Sequence, residues 1–412
     1  MYPNLLERFI KYAKVNTRSD MSSQTVPSTV SQKEFLLDLM DELIEMGYQD
    51  VSYDERDAYV VAKIASNIND RAVPAIGFIA HVDTADYPAD NIQPQVHYNY
   101  DGEDVVLNQT ENIVMKVAEF PNLKNYVGET LITTDGTTLL GADDKAGLVS
   151  IIEATKYFID HPEIPHGDIW LAFGPDEEIG LGAHRFETDK FPADFAYTLD
   201  SGVVGKLEYE TFNATSVNLE MTGTSVHPGQ AKNVMVNALY ELSKFVQALP
   251  ENERAETTSG YEGYYMLRDL TGNLDFVRAN FNIRDHDRQK LEERKEYFKD
   301  LVAKQNMTYD YPRIKIDMYD QYYNMKEVID QHPRVLELAK AAYQDNQIEP
   351  DIQPFRGGTD GCIISFKGIP TPNLFTGAEN LHGCYEFVTL ESMEKAADVV
   401  RSILVLSAQQ DN

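Results

Sequence analysis

The chain has 412 residues, of which 42% are hydrophobic and 25% are charged, so it has the composition of a folded globular protein rather than a disordered one. Its 36 basic and 67 acidic residues leave a net charge of −31, and a field of that sign repels nucleic-acid phosphates and anionic lipid. We therefore expect neither a nucleic-acid nor a membrane partner. A chain of this length usually builds more than one hydrophobic core, so two domains are expected.

The first 208 residues alternate between helical and strand patterns. Apolar residues at helical spacing predict helices over 2–15, 33–47 and 144–159. Short apolar runs that are typical of buried strands cover 59–64, 76–80, 169–173 and 196–199. Strands that alternate with helices predict an α/β domain with a mainly parallel central sheet.

The pattern changes after residue 208 and changes back after residue 325. Between them, strands are predicted over 215–221, 263–271, 274–284 and 313–318, and helices over 233–249 and 287–304. This β-α-β-β-α-β order is that of a ferredoxin-like module. Helices and short strands then return at 332–345, 361–366, 373–375 and 390–408. We predict one α/β domain, formed by 1–208 and 326–412, that is interrupted by an inserted ferredoxin-like α+β domain at 209–325.

Several features of the sequence predict a cytoplasmic protein. The chain has two cysteines, Cys362 and Cys384, which is no disulfide framework and fits a reducing compartment. The first residues lack the basic start and apolar core of a signal peptide. No apolar run approaches the ~20 residues that a membrane helix needs.

Acidic and histidine side chains follow the predicted strands or open a helix. They are His81 and Asp83 after the run 76–80, Glu177 and Glu178 after 169–173, Asp200 after 196–199, Asp143 in a glycine-flanked loop before a helix, and His382 in a late polar loop. Ligands of open α/β sheets bind just outside the carboxyl ends of the strands, so we expect these groups to converge. Taken singly, each has a simpler explanation, such as a helix cap, a turn or a solvated charge run; the joint arrangement favours a site.

The types of side chain in this set predict a metal centre. Several carboxylates stay ionised close together only beside a cation. Two imidazoles with three of the five carboxylates suit zinc or a similar metal, because calcium and magnesium sites rarely use histidine. Five ligands are a natural number for two metals about 3.5–4 Å apart that share one carboxylate. Residues i and i+2 share one face of a strand, so we expect Asp83 to hold the second nitrogen of the His81 imidazole.

Three other catalytic motifs are incomplete or absent in this sequence. Ala142 stands where a phosphate-binding loop needs its lysine, and the pair Gly180 and Gly182 lacks the third glycine of a dinucleotide loop. No Gly-x-Ser-x-Gly elbow of a serine hydrolase is present.

At the candidate ligands the sequence resembles the M20 family of co-catalytic zinc exopeptidases, and within it the tripeptide aminopeptidases. The segments that carry the resemblance occur in family order along the whole chain; they are His81-Val82-Asp83-Thr84-Ala85, Gly141-Ala142-Asp143-Asp144-Lys145-Ala146-Gly147, Asp176-Glu177-Glu178-Ile179-Gly180, Leu199-Asp200-Ser201-Gly202, Thr224-Ser225-Val226-His227-Pro228-Gly229, Arg356-Gly357-Gly358-Thr359-Asp360-Gly361 and Glu379-Asn380-Leu381-His382-Gly383.

The resemblance implies a role for each matching residue. His81 and Asp200 would bind one zinc, Glu178 and His382 the second, and Asp143 would bridge both, with Asp144 in support. Glu177 would be the general base toward a water activated by the two zincs, and Asp83 the residue that orients His81. Cobalt and manganese stay open as alternatives to zinc.

The resemblance also implies the substrate, which is a small peptide cleaved after its N-terminal residue, in peptide catabolism. The inserted domain would be a lid that also forms a homodimer. His227 and Arg284 would lie near the C-terminus of a tripeptide, and Arg356 is a further candidate for its carboxylate, since guanidinium binds carboxylate bidentately. Another M20 hydrolase (a dipeptidase, carboxypeptidase or aminoacylase) and a non-catalytic peptide-binding protein remain alternatives.

Overall fold

A computed structural model describes residues 2–409, which divide into two compact units. The first unit contains the described residues up to Tyr209, Glu327–Gln353, and those from Thr359 onward. The second unit contains Glu210–Lys326 and Pro354–Gly358. No helix within residues 2–409 combines the length and the apolar character that a membrane crossing requires.

The chain before the second unit forms the helices and strands predicted for it, with ends shifted by a few residues. In chain order these elements are α1 (Leu5–Ala13), α2 (Val30–Glu45), β1 (Gln49–Tyr53), β2 (Val60–Ile64), β3 (Ile76–His81), β4 (Gln95–His97), β5 (Val105–Asn108), β6 (Ile113–Met115), β7 (Leu131–Thr133), α3 (Ala142–Asp160), β8 (Ile169–Gly174), α4 (Gly182–Arg185), β9 (Phe195–Ser201) and β10 (Leu207–Glu208). The strands β1, β4–β7 and β10 and the short helix α4 were not predicted. The strands β4–β7 and β10 have two to four residues and are too short to show a period of two.

The second unit is a four-stranded antiparallel sheet with two long helices. Its elements are β11 (Asn213–Thr222), α5 (Ala238–Ala248), β12 (Tyr264–Gly272), β13 (Phe276–Asp285), α6 (Arg288–Asn306) and β14 (Ile314–Tyr322). The strand order β12-β13-β11-β14 and the β-α-β-β-α-β succession confirm the ferredoxin-like prediction. The predicted helix over 233–249 begins later, at Ala238, because Thr224 and Val236 form a β-bridge before it.

The apolar face of this sheet packs against both helices of the second unit. Val217 and Leu219 of β11 alternate with outward-facing polar residues and join Phe281 of β13 in the core. Phe245 of α5 and Phe298 of α6 meet the Phe281 ring edge-on, at centroid distances of 6.0 and 5.2 Å. Such aromatic contacts anchor both helices to one side of the sheet.

From Glu327 the remaining chain returns to the first unit, apart from Pro354–Gly358. Its elements are α7 (Lys326–Ile329), α8 (Pro333–Asp345), α9 (Asp360–Phe366), β15 (Asn373–Phe375), β16 (Val388–Thr389) and α10 (Leu390–Gln409). The segment predicted over 361–366 is thus a helix, which Thr359 caps by accepting a hydrogen bond from the Gly361 backbone.

A seven-stranded sheet in the order β1-β2-β8-β3-β9-β15-β10 organises the first unit. Its central strands β8, β3, β9 and β15 are parallel, which confirms the predicted mainly parallel sheet. Ile79 of β3 packs with Ile364 of α9, while α3 runs against β3 and β9 and is buried along most of its length. The carboxyl ends of β8, β3 and β9 therefore share one edge of the sheet, where the candidate ligands follow.

Candidate metal centre

Three neighbouring parallel strands carry the first candidate ligands to the same edge. His81 is the last residue of β3, Asp200 is the next-to-last residue of β9, and Glu177 and Glu178 follow β8 after two residues. The order β8-β3-β9 places His81 between the other two. His81 is about a hundred residues away from the other three in the sequence but lies at the same sheet edge, as the rule for open α/β sheets predicts.

Asp143 lies between the two histidines. Its Oδ1 is 3.0 Å from His81 Nε2, and its Oδ2 is 3.0 Å from His382 Nε2. One carboxylate thus faces two imidazoles through different oxygens, which is the geometry of a bridging ligand. Asp143 comes to this position from the loop before the regular part of α3, where its φ of −84° and ψ of 105° are not helical.

Each histidine has a second carboxylate on its own side of Asp143. Asp200 Oδ1 lies 3.5 Å from His81 Nε2, and Glu178 Oε1 lies 3.1 Å from His382 Nε2. This is the pairing that the family resemblance implies. Ligand atoms of His81, Asp143 and Glu178 all fall within 4.8 Å of one another, and so do those of His81, Asp144 and Asp200.

Asp83 is fully buried and does more than the sequence predicted. Its Oδ1 lies 3.3 Å from His81 Nδ1, whose other close acceptor is the Asp83 carbonyl at 3.0 Å. The same Oδ1 accepts the Glu177 backbone N–H at 3.0 Å, and Oδ2 accepts the Glu178 N–H at 3.1 Å. One carboxylate therefore contacts the His81 ring and also holds the backbone of the adjacent glutamates.

Burial raises the pKa values of three acidic side chains in this cluster. Burial raises the pKa of Asp200 to about 7, although the neighbouring His81 opposes the rise. Burial likewise raises the pKa of Glu178 to about 7, with the Asp143 carboxylate adding to it. Burial raises the pKa of Glu177 well above its usual range, and the charge of Asp200 contributes. Such a set is ionised at neutral pH only when cations compensate it.

The donor set fits divalent metal ions. Asp143, Glu178 and Asp200 offer carboxylate oxygens, and His81 and His382 offer ring nitrogens, within a few ångströms. A mixture of imidazole and carboxylate ligands is typical of zinc and its neighbours in the transition series. The site can therefore hold metal.

The other predicted site residues belong to the second unit. His227 is exposed and its Nδ1 accepts the Gly229 backbone N–H at 3.1 Å. Arg284 is buried in β13, and its guanidinium lies 5.4 Å from the Tyr322 ring centroid. Arg356 donates to the carbonyls of Gly260 and Glu262 at 2.9 and 2.7 Å, so much of its guanidinium is already used inside this unit.

Two buried carboxylates near the centre were not assigned by sequence. Glu386 accepts three backbone N–H groups from residues 140–143. Asp360 accepts the Tyr59 hydroxyl at 3.0 Å, and burial raises its pKa to about 6. Asp360 falls in a motif that carries the family resemblance, whereas a lone glutamate in a polar loop gives Glu386 no signal of its own.

Comparisons with known proteins identify the family of the chain. Residues 209–310 match a family model described as the M20 peptidase dimerisation domain. Peptidase T of Fusobacterium nucleatum is 53% identical over 409 residues, which cover 99% of each chain. An aminopeptidase PepT structure from Bacillus cereus superposes with a TM-score of 0.78 at 24% identity, covering 99% of each chain. A tripeptidase structure from Staphylococcus aureus gives 0.78 at 23%, covering 100% of this chain and 99% of the other.

The two solved structures confirm the fold. The sequence match, over half identical along essentially the whole length, confirms the resemblance that the motifs suggested. The chain is a peptidase, and it belongs to the peptidase T family of M20 metallopeptidases.

Proposed function

We propose that this chain is a tripeptide aminopeptidase in which His81, Asp143, Glu178, Asp200 and His382 hold two divalent metals, most simply zinc. The observation that carries the proposal is Asp143, whose two oxygens each lie 3.0 Å from a different histidine. The set has one bridging carboxylate and one further carboxylate for each histidine. Such a bound pair supplies polarisation of the scissile carbonyl and a more acidic water.

Glu177 is the general base in this proposal. Its backbone is fixed by Asp83, and its carboxyl group is desolvated beside Asp200. A carboxylate in that environment binds a proton more tightly than an exposed one, so Glu177 can take a proton from water and return it to the leaving amine. Asp83 orients His81 and the two glutamates at the same time.

Arg284 is the proposed receptor for the substrate carboxylate. Its side chain is buried, and across residues 2–409 it forms no ion pair with a carboxylate; its Nη1 donates only a long bond, 3.5 Å, to the Ile283 carbonyl. A buried guanidinium without an anion is costly, which favours an anionic ligand at this position. His227 is the proposed partner for the substrate carbonyl. Arg356 is a further candidate for the substrate carboxylate, although its Nη1 already donates to the carbonyls of Gly260 and Glu262.

We further propose that residues 1–208 and 326–412 act as the catalytic domain and 209–325 as a lid. The match of 209–310 to a dimerisation domain supports a homodimer through that lid. A site that binds both ends of a peptide at fixed positions accepts one peptide length, and this is our explanation for a preference for tripeptides. The two-cysteine content favours the cytoplasm as the location.

The test combines metal removal with a peptide panel. The purified protein is dialysed against a chelator, reloaded separately with zinc, cobalt or manganese, and given di-, tri- and tetrapeptides with free or blocked ends. We expect release of the N-terminal residue from free tripeptides only, lost on chelation and restored by metal. Release of the C-terminal residue, equal rates on blocked tripeptides, or full activity after complete chelation would each contradict the proposal.

A further inference from the structure

Glu386 is a buried glutamate that binds the backbone of the loop before α3. Its side chain is 2% exposed. Oε2 accepts the backbone N–H groups of Leu140 and Gly141 at 2.9 and 2.8 Å, and Oε1 accepts that of Asp143 at 3.0 Å. All three donors lie within four residues and are bound by one carboxylate.

Within residues 2–409, no other side chain accepts a backbone N–H of residues 140–143. Gly141, at the N-cap of α3, has a φ of +74° and supplies no capping side chain. Backbone N–H groups in a buried loop need an acceptor elsewhere in the fold. Glu386 supplies that acceptor from far along the sequence.

The same carboxylate joins this loop to the loop of His382. Glu386 lies in the segment 379–387, which is closed by paired hydrogen bonds between Glu379 and Phe387, at 2.9 and 3.0 Å. His382 belongs to that segment and faces Asp143 Oδ2. One closed loop therefore contacts Asp143 twice, at its backbone through Glu386 and at its carboxylate through His382.

We propose that Glu386 is a positioning residue that fixes the Asp143 backbone, so that the Asp143 carboxylate stays between His81 and His382. The inference rests on the proposed metal function, because it concerns the residue proposed as the bridging ligand. The hydrogen bonds of Glu386 within residues 2–409 go to the loop backbone and not to either histidine, so we do not assign Glu386 as a metal ligand. Its loss should therefore weaken metal binding through Asp143, beyond any effect on folding.

The experiment measures binding of Co²⁺ to the metal-free full-length protein, by titration and by its visible absorption. Glu386→Gln keeps the size of the side chain but leaves only one acceptor oxygen for three donors. Glu153→Gln is the matched control, because Glu153 is also a buried glutamate of the first unit but pairs with Arg8, at 2.8 Å. Urea unfolding of the metal-free variants reports stability separately.

We expect Glu386→Gln to bind Co²⁺ about 10–100-fold more weakly than wild type, with a changed absorption spectrum and a lower kcat at little changed KM. Glu153→Gln should match wild type in all of these and differ only in stability. Equal Co²⁺ affinity and equal spectra in both variants would overturn the inference. Should Glu386→Gln not fold, Glu386→Asp, which keeps the charge on a shorter side chain, is read by the same criteria. A wild-type protein that binds no Co²⁺ and has no metal-dependent activity would instead overturn the proposed function.

Discussion

The substitution Asp83→Asn tests how one buried carboxylate organises the metal centre. Asp83 Oδ1 faces both His81 Nδ1 and the Glu177 N–H, and Oδ2 faces the Glu178 N–H. An asparagine of the same shape has a single acceptor oxygen. In either orientation its amide N–H₂ points at one or more of these donors, so at least one backbone N–H loses its acceptor in a buried site.

The magnitude follows from the lost contacts. Leaving one buried donor without a partner costs about 1–3 kcal/mol. At about 1.4 kcal/mol per factor of ten, this corresponds to a loss of roughly 5–150-fold, similar to the 10–100-fold typical of residues that orient a metal-binding histidine. Because Glu177 is the proposed base, we expect most of the loss in kcat, with a smaller change in KM.

The assay is steady-state hydrolysis of a tripeptide, together with metal content and urea unfolding. Asp168→Asn is the control, since Asp168 precedes β8 at its opposite end and also accepts a backbone N–H, that of Ser66 at 2.7 Å. The control should lose stability and keep its kcat. If Asp83→Asn retains kcat/KM within about twofold of wild type while folded, the assigned role of Asp83 is wrong.

Three further substitutions test separate parts of the molecule. Glu177→Gln should lower kcat by about 10²–10⁴-fold with metal content unchanged, and near-normal turnover or loss of both metals would exclude it as the base. Arg284→Glu should raise KM for tripeptides strongly while the protein stays folded. Arg278→Glu is the control, because Arg278 lies on the same strand but pairs with a glutamate at the surface, and its KM should stay unchanged. An equal rise of KM in both variants would show that the change in overall charge, and not the loss of Arg284, is the cause. Gly174→Ala would place its Cβ 2.1 Å from two ring atoms of Tyr59, so we expect a loss of about 1–3 kcal/mol in the free energy of unfolding, and an unchanged urea midpoint would refute that packing.

The local patterns of the sequence were sufficient for the secondary structure that positions the site. The apolar runs before His81, Glu177 and Asp200 predicted the strands β3, β8 and β9, because buried parallel strands need continuous apolar residues. The change to alternating residues after 208 predicted the second sheet for a different reason, because an antiparallel sheet with one exposed face alternates apolar and polar residues. The four short strands between β3 and α3 left no such pattern and emerged only in the structure.

What the sequence by itself determined is the kind of site: its carboxylates and imidazoles, their places after strands, and the family. Only the tertiary structure decided how these groups pair across distances that no periodicity records. It placed Asp143 between His81 and His382, and it brought the Asp83 carboxylate to the His81 ring and to two backbone N–H groups. It also brought Glu386 from near the end of the chain to a loop at residue 141. The physical reason is that a buried N–H must find an acceptor somewhere in the fold, and which residue supplies it depends on packing between segments far apart in sequence.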